Sequence, residues 1–463
     1  MQAAVDALRP GTWAGLGTVP SIKIAAAALA VAGFCAAGIY ASMLGAGTDR
    51  DSIRVIWAAH QILGGHYAPS RSWGFPLHEA ICAVFLAAGG PFAVNLASVA
   101  AIGAGIWMAA CIAPPARAWL AVVALCGSPL LLCNAGVAID FGWDFSAGMA
   151  TLCAALQLQR KAGAWPLSLF GAAVLALLLL RPDNGLFATA IIMAMPAKNG
   201  VRYRAACVTA GAGLAAAGAY IGLAGPHALL TAIPMRGTWP GHLARAAILA
   251  SAVLGPGGVM ALVLLAAHRA RGPAVTVLAF ALPLYALRFA ALPDQADYLI
   301  LPVALLTLAA ATALPYRLAV ACCCAIIAPA LITVSLLERS PDNGALRLHV
   351  ALQQGAVAQE WAARCFSAAM DSPEAAAAVS ARTQGLPRLT HALYLPAFMT
   401  PEGDTVIGAE HMSRIDRAQF RALWVCDAPL GPGIGWRGWQ APAGTQAARG
   451  AFTCRPAQDS ASF

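Results

Sequence analysis

Long apolar runs separated by short polar segments make up the first 337 residues of the chain. A helix needs roughly 17 to 25 mostly apolar residues to cross a bilayer, and eleven runs reach or approach that length. These runs lie near residues 21–42, 92–112, 118–137, 145–160, 165–181, 184–198, 204–223, 244–267, 273–292, 297–314 and 317–337. The pattern predicts an all-α polytopic membrane protein with about eleven transmembrane helices.

Composition supports the same interpretation. Hydrophobic residues make up 60% of the chain, charged residues make up 11%, and the mean hydropathy is +0.70. Charged residues are about 25% of an ordinary soluble domain. The chain is therefore too apolar for a soluble globular protein, and its first expected partner is a lipid bilayer.

Basic residues predict the orientation of these spans. If the N-terminus is cytoplasmic, the inner loops hold most of the basic residues of the membrane part, as the positive-inside rule requires. Eleven spans then leave the C-terminus on the periplasmic side, and the Ala-rich composition favours a bacterial inner membrane. Topology accounts for the net charge of +9, and no long Lys/Arg run indicates a nucleic-acid partner. The inner basic residues are Arg9, Lys23, Arg117, Arg160, Lys161, Lys198, Arg202, Arg204, Arg269, Arg271 and Arg317.

The first outer loop, at about residues 43–91, is unusually rich in charged, hydroxylated and aromatic side chains. Its apolar stretch from Leu77 to Gly90 is too short to span comfortably and is typical of an interfacial helix. Earlier in the loop, the run DSIRVIWAAHQIL predicts a helix that begins near Asp51, where an acid is favoured by the helix dipole.

The tail, residues 338–463, is expected to form a small extracytoplasmic α+β region after the membrane module of residues 1–337. Its first part, residues 344–384, has helical periodicity. After Pro387 the segments are short and punctuated by Trp, Pro and Gly. Cys426 and Cys454 lie in two strand-like segments, and oxidising conditions would permit a disulfide between them.

The stretch AAHQILGGHYAPSRSWGFPLHE, residues 58–79, resembles the first outer loop of GT-C glycosyltransferases. These polytopic enzymes use sugars linked to polyprenyl phosphate. Aligning Ala59 and the ILGG run with the family pattern places Asp51 on its leading Asp, with Asp49 as an extra acid. The resemblance covers roughly residues 1–337, and the tail matches no family pattern.

Later segments are also similar to GT-C loops. AIDFGWD contains Asp140 and Asp144, and RPD covers residues 181–183. DYLILPV, at residues 297–303, resembles the loop near the donor phosphate but lacks the Arg that commonly accompanies its Tyr. Arg288 or Arg236 would then supply that positive charge.

The resemblance implies sugar transfer from a polyprenyl-phosphate donor to an acceptor, which can be a lipid, a glycan or a protein. An Asp can accept the proton of the acceptor hydroxyl, and Arg can bind the phosphate through two hydrogen bonds. Asp51 is the expected general base and Asp49 its partner or substitute. The expected substrate-binding residues are Arg54, Tyr67, Arg71, Trp73, His78, Glu79, Asp140, Asp144, Arg181, Asp183, Arg236, Arg288, Asp297 and Tyr298.

A divalent cation, Mg²⁺ or Mn²⁺, is an open question at Asp49 and Asp51. Two carboxylates separated by one residue can bind such an ion together with phosphate oxygens and water. On a helix, however, positions i and i+2 point apart.

Simpler explanations compete with several of these assignments. Asp49 and Asp51 could be solvated capping charges, and Arg181 with Asp183 could be an internal ion pair that closes a helix break. His78 and Glu79 could reach the membrane surface from the interfacial helix. The sequence favours this explanation for His78, whereas Glu79 is a better candidate for contact with an acceptor or a metal ion. The alternatives to a glycosyltransferase are a transporter or flippase, which would concentrate ionisable residues at the bilayer midplane, and a surface-glycan polymerase or ligase.

Overall fold

A computed structural model describes most of the first 364 residues and several short strands of the tail. The described residues are 21–45, 50–71, 74–197, 200–225, 239–293, 295–339, 346–358, 360, 361, 364, 388–390, 406–408, 424–427, 430–434, 440–442 and 453–456.

The described part of the chain is mostly helical. Its α-helices are α1 Ser21–Ser42, α2 Arg50–Leu63, α3 Pro76–Ile112, α4 Pro115–Cys126, α5 Pro129–Asn134, α6 Phe141–Arg160, α7 Ala164–Leu180, α8 Gly185–Ala194, α9 Val201–Ala224, α10 Trp239–Ala267, α11 Pro273–Ala291, α12 Ile300–Ala313 and α13 Tyr316–Ile327. Short 3₁₀ helices cover Pro182–Asn184, Ala296–Leu299 and Ala328–Ala330.

Six of the helical segments are long and apolar enough to cross a membrane. They are Ser21–Ser42, Pro76–Ile112, Val201–Ala224, Trp239–Ala267, Pro273–Ala291 and Ala296–Ala313. The chain thus has the character of a multi-pass integral membrane protein, as its sequence pattern predicts. The count of eleven spans and the orientation of the termini stay predictions.

The boundary between the interfacial helix and the second apolar run lies where the sequence predicts it. Within α3, Gly89 and Gly90 leave the helical conformation, and Gly90 has a φ of 65°. Positive φ values are readily adopted only by glycine, and the following Pro91 lacks the N–H that would continue the helix. The element is therefore two helices joined at a kink.

Two of the predicted apolar runs form helices that are shorter than the runs themselves. The run at 118–137 is divided into α4 and α5, because Gly127 and Ser128 interrupt it before Pro129. The predicted span at 317–337 is wrong in its second half, where α13 ends at Ile327 and a strand begins at Ile332. Pro329 lies between them, and its missing N–H disfavours continuation of the helix.

Two antiparallel strands stand at the start of the tail. The prediction of a helix is therefore wrong for the first part of residues 344–384. Strand β1, Ile332–Arg339, pairs antiparallel with β2, Leu346–Gln354. The β2 sequence LRLHVALQQ has apolar residues at alternate positions, and this period of two suits a strand better than a helix. Helical conformation begins after it, at residues 356–358. The predicted domain boundary at 338 falls inside β1.

Further strands of the tail are β3 Arg388–Thr390, β4 Val406–Gly408, β5 Trp424–Asp427, β6 Leu430–Ile434, β7 Gln440–Pro442 and β8 Thr453–Pro456. They form a sheet of order β4-β3-β5-β8 and a separate β6-β7 pair. The antiparallel β5-β8 register places Cys426 opposite Cys454. The disulfide between them and the α+β nature of the whole tail stay predictions.

Helix α12 lies at the centre of the helical packing. Every residue from Ile300 to Ala311 is buried, as expected of a helix enclosed by other helices. The 3₁₀ helix Ala296–Leu299 precedes it and carries Asp297 and Tyr298 into the interior. This placement brings the DYL segment against the ends of the neighbouring helices.

Candidate functional site

Six side chains of alternating charge form a continuous series of ion pairs at one end of the helical bundle. We call this series the charge chain. It joins residues that lie up to 237 positions apart in the sequence, between the start of α2 and the last turn of α11. In order, its members are Asp51, Arg71, Asp140, Arg181, Asp183 and Arg288.

The first part of the charge chain lies in the first outer loop. Asp51 is buried in the first turn of α2, and its two carboxylate oxygens accept from different arginines. Arg54 Nη1 is 3.0 Å from Asp51 Oδ1, and Arg71 Nη1 is 3.1 Å from Asp51 Oδ2. The Arg71 guanidinium also lies 4.1 Å from the centre of the Phe75 ring. Helix α2 and the following loop are therefore held together by charge.

Asp140 is the shared anion at the middle of the charge chain. It is fully buried just before α6, and Arg71 and Arg181 donate to its two oxygens at 2.5 and 2.9 Å. Burial by itself would raise the pKa of Asp140, but the two guanidinium groups outweigh burial and hold the pKa well below its ordinary value. Asp140 is therefore the common counter-ion of Arg71 and Arg181.

Arg181 is enclosed by acids and aromatic rings. Its Nε is 3.1 Å from Asp183 Oδ1 and 3.6 Å from Asp144 Oδ2. Its guanidinium carbon lies 4.6 Å from the Phe141 ring centre and 4.8 Å from that of Tyr298. The structure thus contains the internal ion pair at the break between α7 and α8, and Arg181 has fewer donors left for a phosphate than the sequence analysis expects.

Arg288 ends the charge chain beside the DYL segment. It forms an ion pair with Asp183, and its guanidinium carbon lies 3.9 Å from the Tyr298 ring centre. Burial alone would raise the pKa of Asp183, but Arg181 and Arg288 lower it below its ordinary value. Arg288 Nη1 is buried and has no hydrogen-bond acceptor in the described part of the protein. Of the two arginines proposed to replace the absent one, Arg288 lies next to Tyr298.

Glu79 binds the connection between α2 and α3, which carries Arg71 and which we call the polar loop. The Tyr67 hydroxyl donates to Glu79 Oε2 at 2.6 Å, and the Ser70 amide donates to Glu79 Oε1 at 2.8 Å. Burial, and secondly the charge of Glu79, raise the pKa of Tyr67 far above its ordinary value, so this hydroxyl remains a donor. Gly74 has a φ of 71°, and a Cβ there would lie 2.4 Å from the Tyr67 hydroxyl oxygen.

The expectation that His78 reaches the membrane surface is wrong, and Glu79 is as enclosed as His78. Both side chains are fully buried, because they lie on the inner face of the first part of α3, while Val84 and Phe85 are exposed on its outer face. His78 Nε2 is 3.4 Å from the Cys82 sulfur, and its ring packs 6.3 Å from that of Trp143. Neither residue lies at the surface to meet a substrate in this conformation.

The remaining predicted acids are held by asparagines. Asn184 donates to Asp144 Oδ1 at 2.8 Å, and Asn134 donates to Asp297 Oδ1 at 2.7 Å. All four residues are buried. The two asparagines are members of the site that the sequence analysis does not identify. Asn184 could have been found from its place directly after RPD, whereas the isolated Asn134 in an apolar run has no comparable signal.

A residue of the tail also reaches this end of the bundle. Arg364 is fully buried, pairs with Glu360, and donates to main-chain oxygens of Cys133, Ala135 and Gly136 at 2.6, 3.0 and 3.2 Å. The segment that it holds leads directly to Asp140. No local pattern in the sequence indicates this long-range contact.

Three predicted site residues, Asp49, Trp73 and Arg236, lie outside the described residues. Within the described part, no group of three or more His, Cys, Asp or Glu side chains is arranged to hold a metal ion. Asp51 already accepts from Arg54 and Arg71, and two adjacent guanidinium groups oppose a cation at the same carboxylate. The described residues therefore do not fit a divalent cation at Asp51.

An apolar cavity of about 300 Å³ lies between α10, α11 and α12. Tyr285, Phe289 and Leu299 line it, and these residues are near neighbours in sequence of Arg288 and Tyr298. At the other side, Leu243 and Leu282 are exposed on the outside of the bundle. The cavity thus has exposed side chains at its rim, and residues next to Arg288 and Tyr298 in the sequence form part of its lining.

Comparisons with known proteins show no relative of the chain: no protein-family model, curated protein or solved structure matches it.

Proposed function

We propose that the protein transfers a sugar from a polyprenyl-phosphate donor to an acceptor at the membrane surface, with Asp51 as the general base. The observation that carries the proposal is the position of Arg288. This arginine pairs with Asp183 at one end of the buried series of charges that begins at Asp51, and its helix neighbours Tyr285 and Phe289 line an apolar cavity with exposed side chains at its rim. The reaction requires a binding site for the lipid tail of the donor, a positive charge for its phosphate and a carboxylate base for the acceptor.

The cavity between α10, α11 and α12 suits the first isoprene units of the donor. Its walls are almost wholly apolar, with Ala246, Ala250 and Leu254 on α10 facing Leu282 and Phe289 on α11. Because its rim includes side chains exposed on the outside of the bundle, a lipid can enter from the bilayer without passing through water. Because the donor tail comes from lipid and not from water, its binding there rests on van der Waals packing against these apolar walls.

The donor phosphate is assigned to Arg288. One terminal nitrogen pairs with Asp183 and the other, Nη1, is buried without an acceptor among the described residues. A buried donor of this kind is costly unless a ligand satisfies it. The buried Tyr285 hydroxyl also has no partner there and lines the same cavity. These two donors would stabilise the negative charge that develops on the leaving phosphate.

Asp51 is assigned to the acceptor. Its side chain keeps 9% of its surface exposed, whereas that of Asp140 is wholly enclosed. Each oxygen of a carboxylate has two lone-pair directions, so an oxygen that accepts from an arginine can also accept from a substrate hydroxyl. The proton of that hydroxyl would move to Asp51 as the hydroxyl oxygen attacks the sugar and the bond from sugar to phosphate breaks.

Filling the cavity tests the donor assignment. Ala250→Trp places a large side chain in the cavity, and Ala210→Trp adds the same side chain on the exposed face of α9 as a matched control. Photo-crosslinking with a diazirine-bearing polyprenyl phosphate should label wild type and Ala210→Trp equally and Ala250→Trp at least about tenfold less. Equal labelling of all three proteins would mean that the donor lies elsewhere.

A further inference from the structure

The opposite end of the bundle holds a second cluster of charged and aromatic side chains, which the charge chain does not include. Helix α1 runs from Lys23 toward Ser42, and Ser42 lies near the first outer loop. At a rise of 1.5 Å per residue, Lys23 is roughly 30 Å from that end. Lys23, Arg117, Trp119 and Tyr316 form the cluster, which we call the basic–aromatic cluster.

Two cations share one aromatic ring in this cluster. Lys23 Nζ lies 5.4 Å from the centre of the Tyr316 ring and 6.0 Å from that of Trp119. The guanidinium carbon of Arg117 lies 5.1 Å from the same Tyr316 ring. Like charges gathered around one ring repel each other, so an anion between them would be favoured.

The donors of the cluster are not satisfied within the described protein. Arg117 Nη2 donates to the main-chain oxygen of Leu314 at 3.3 Å, but Arg117 Nη1 and Trp119 Nε1 are buried atoms without a hydrogen-bond acceptor. No carboxylate among the described side chains forms an ion pair with Lys23 or Arg117. This contrasts with the charge chain, in which every described arginine is paired with an acid.

The helix geometry adds to the positive potential. Helices α1, α4 and α13 begin at Ser21, Pro115 and Tyr316, and all three present their N-termini at this end of the bundle. A helix N-terminus carries a partial positive charge and unsatisfied N–H groups. Three such termini beside two cations make a site for an anion rather than a neutral ligand.

We propose that the basic–aromatic cluster binds the phosphodiester headgroup of an anionic phospholipid. The lipid is favoured over a free anion because apolar surface adjoins the cations. Ile22 and Ile24, on either side of Lys23, are 75% and 48% exposed, and Tyr316 is 44% exposed. Acyl chains can pack on the isoleucines while the phosphate meets Lys23, Arg117 and the Trp119 N–H. Basic pockets between transmembrane helices are suited to such headgroups.

Native mass spectrometry of the full chain, incubated with equal amounts of phosphatidylglycerol and phosphatidylcholine, tests this site. Wild type should retain phosphatidylglycerol in preference. In the double variant Lys23→Gln with Arg117→Gln, the ratio of bound phosphatidylglycerol to bound phosphatidylcholine should fall at least about fivefold for each charge removed. Arg160→Gln with Lys161→Gln is the matched control, since it removes two exposed cations near the same end of the bundle and should leave the preference unchanged.

A third variant keeps the test decisive if the double variant fails to fold. Trp119→Phe retains the ring and removes the Nε1 donor, so the preference should fall without a change in phosphatidylcholine binding. An excess of inorganic phosphate should not displace the lipid, and displacement would show a site for a free anion instead. The proposal is overturned if wild type shows no preference, or if both double variants lose it equally. Because none of these variants touches the charge chain, the outcome is independent of the proposed transferase activity.

Discussion

Arg71 Nη1 lies 3.1 Å from Asp51 Oδ2, and through this ion pair the polar loop is locked onto the helix that carries the proposed base. The two residues are twenty positions apart, and Tyr67 and Ser70, just before Arg71, bind Glu79 in the first turn of α3. Because Arg71 also binds Asp140, the position of Asp51 depends on residues far along the chain.

Asp140→Asn should destabilise the protein strongly. The substitution leaves Arg71 and Arg181 buried without their common anion, and breaking a buried pair by removing one partner typically costs about 3 to 5 kcal/mol. Thermal unfolding in detergent, followed by intrinsic fluorescence, should show a large fall in the midpoint. Asp183→Asn is the comparison, since its more exposed side chain should make the loss smaller. An unchanged midpoint in Asp140→Asn would mean that the charge chain does not support the fold.

Acid should weaken the charge chain. The folded pKa values of Asp140 and Asp183 are below their ordinary value, so both groups favour the folded state above about pH 3.9. Their stabilisation should disappear as the pH falls below that value. Unfolding midpoints measured across this range should decline for the wild type and change less for Asp183→Asn. Parallel declines in both proteins would assign the acid sensitivity to other groups.

Gly74→Ala should be more harmful than Gly65→Ala. Both glycines have positive φ, and an alanine in that conformation costs roughly 1 to 2 kcal/mol. At Gly65 a Cβ meets nothing within 4 Å, whereas at Gly74 it would lie 2.4 Å from the Tyr67 hydroxyl that binds Glu79. The difference between the unfolding free energies of the two variants measures the cost of displacing the Tyr67 hydroxyl from its place beside Gly74. Equal losses would show that Tyr67 can move aside without consequence.

Arg364→Gln should loosen the segment that precedes Asp140. Three main-chain oxygens lose a charged donor, and hydrogen bonds to charged groups are worth about 1.5 to 3 kcal/mol each. Cys133 is 1% exposed, so its reaction with a membrane-permeant maleimide reports the opening of this segment. Mass spectrometry of the Cys133 peptide should show faster modification in Arg364→Gln than in the exposed control Arg160→Gln. Similar rates would mean that the tail does not support the segment.

The sequence predicts the helices of the membrane part well because apolar runs and Gly-Pro breaks act locally. Helix α1 begins and ends as its apolar run does, and the kink at Gly90 follows from glycine and proline chemistry. The first strands of the tail are missed because an alternating pattern of nine residues resembles a helical one in a short window. Pairing with β1 decides between them, and the pattern of the β2 segment alone does not reveal that partner.

The members of the charge chain are largely predictable, but their partners are not. Acids and arginines next to apolar runs indicate function or ion pairing, which identifies Asp140, Arg181 and Asp183. Which arginine meets which acid depends on how the helices pack. The burial of His78 likewise follows from the fold of the loop above it, and no periodicity in its own segment reveals it.

Sugar transfer by the purified protein in lipid tests the central claim most directly. Wild type, Asp51→Asn and the exposed α2 variant His60→Gln would be incubated with radiolabelled polyprenyl-phosphate sugars and crude membrane acceptors. Because Asn preserves the shape of Asp51 but cannot accept the proton, transfer should fall at least about a hundredfold in Asp51→Asn and stay normal in His60→Gln. Undiminished transfer by a folded Asp51→Asn protein would contradict the assignment of Asp51 as the base, and the absence of transfer by wild type with every donor would contradict the proposed function.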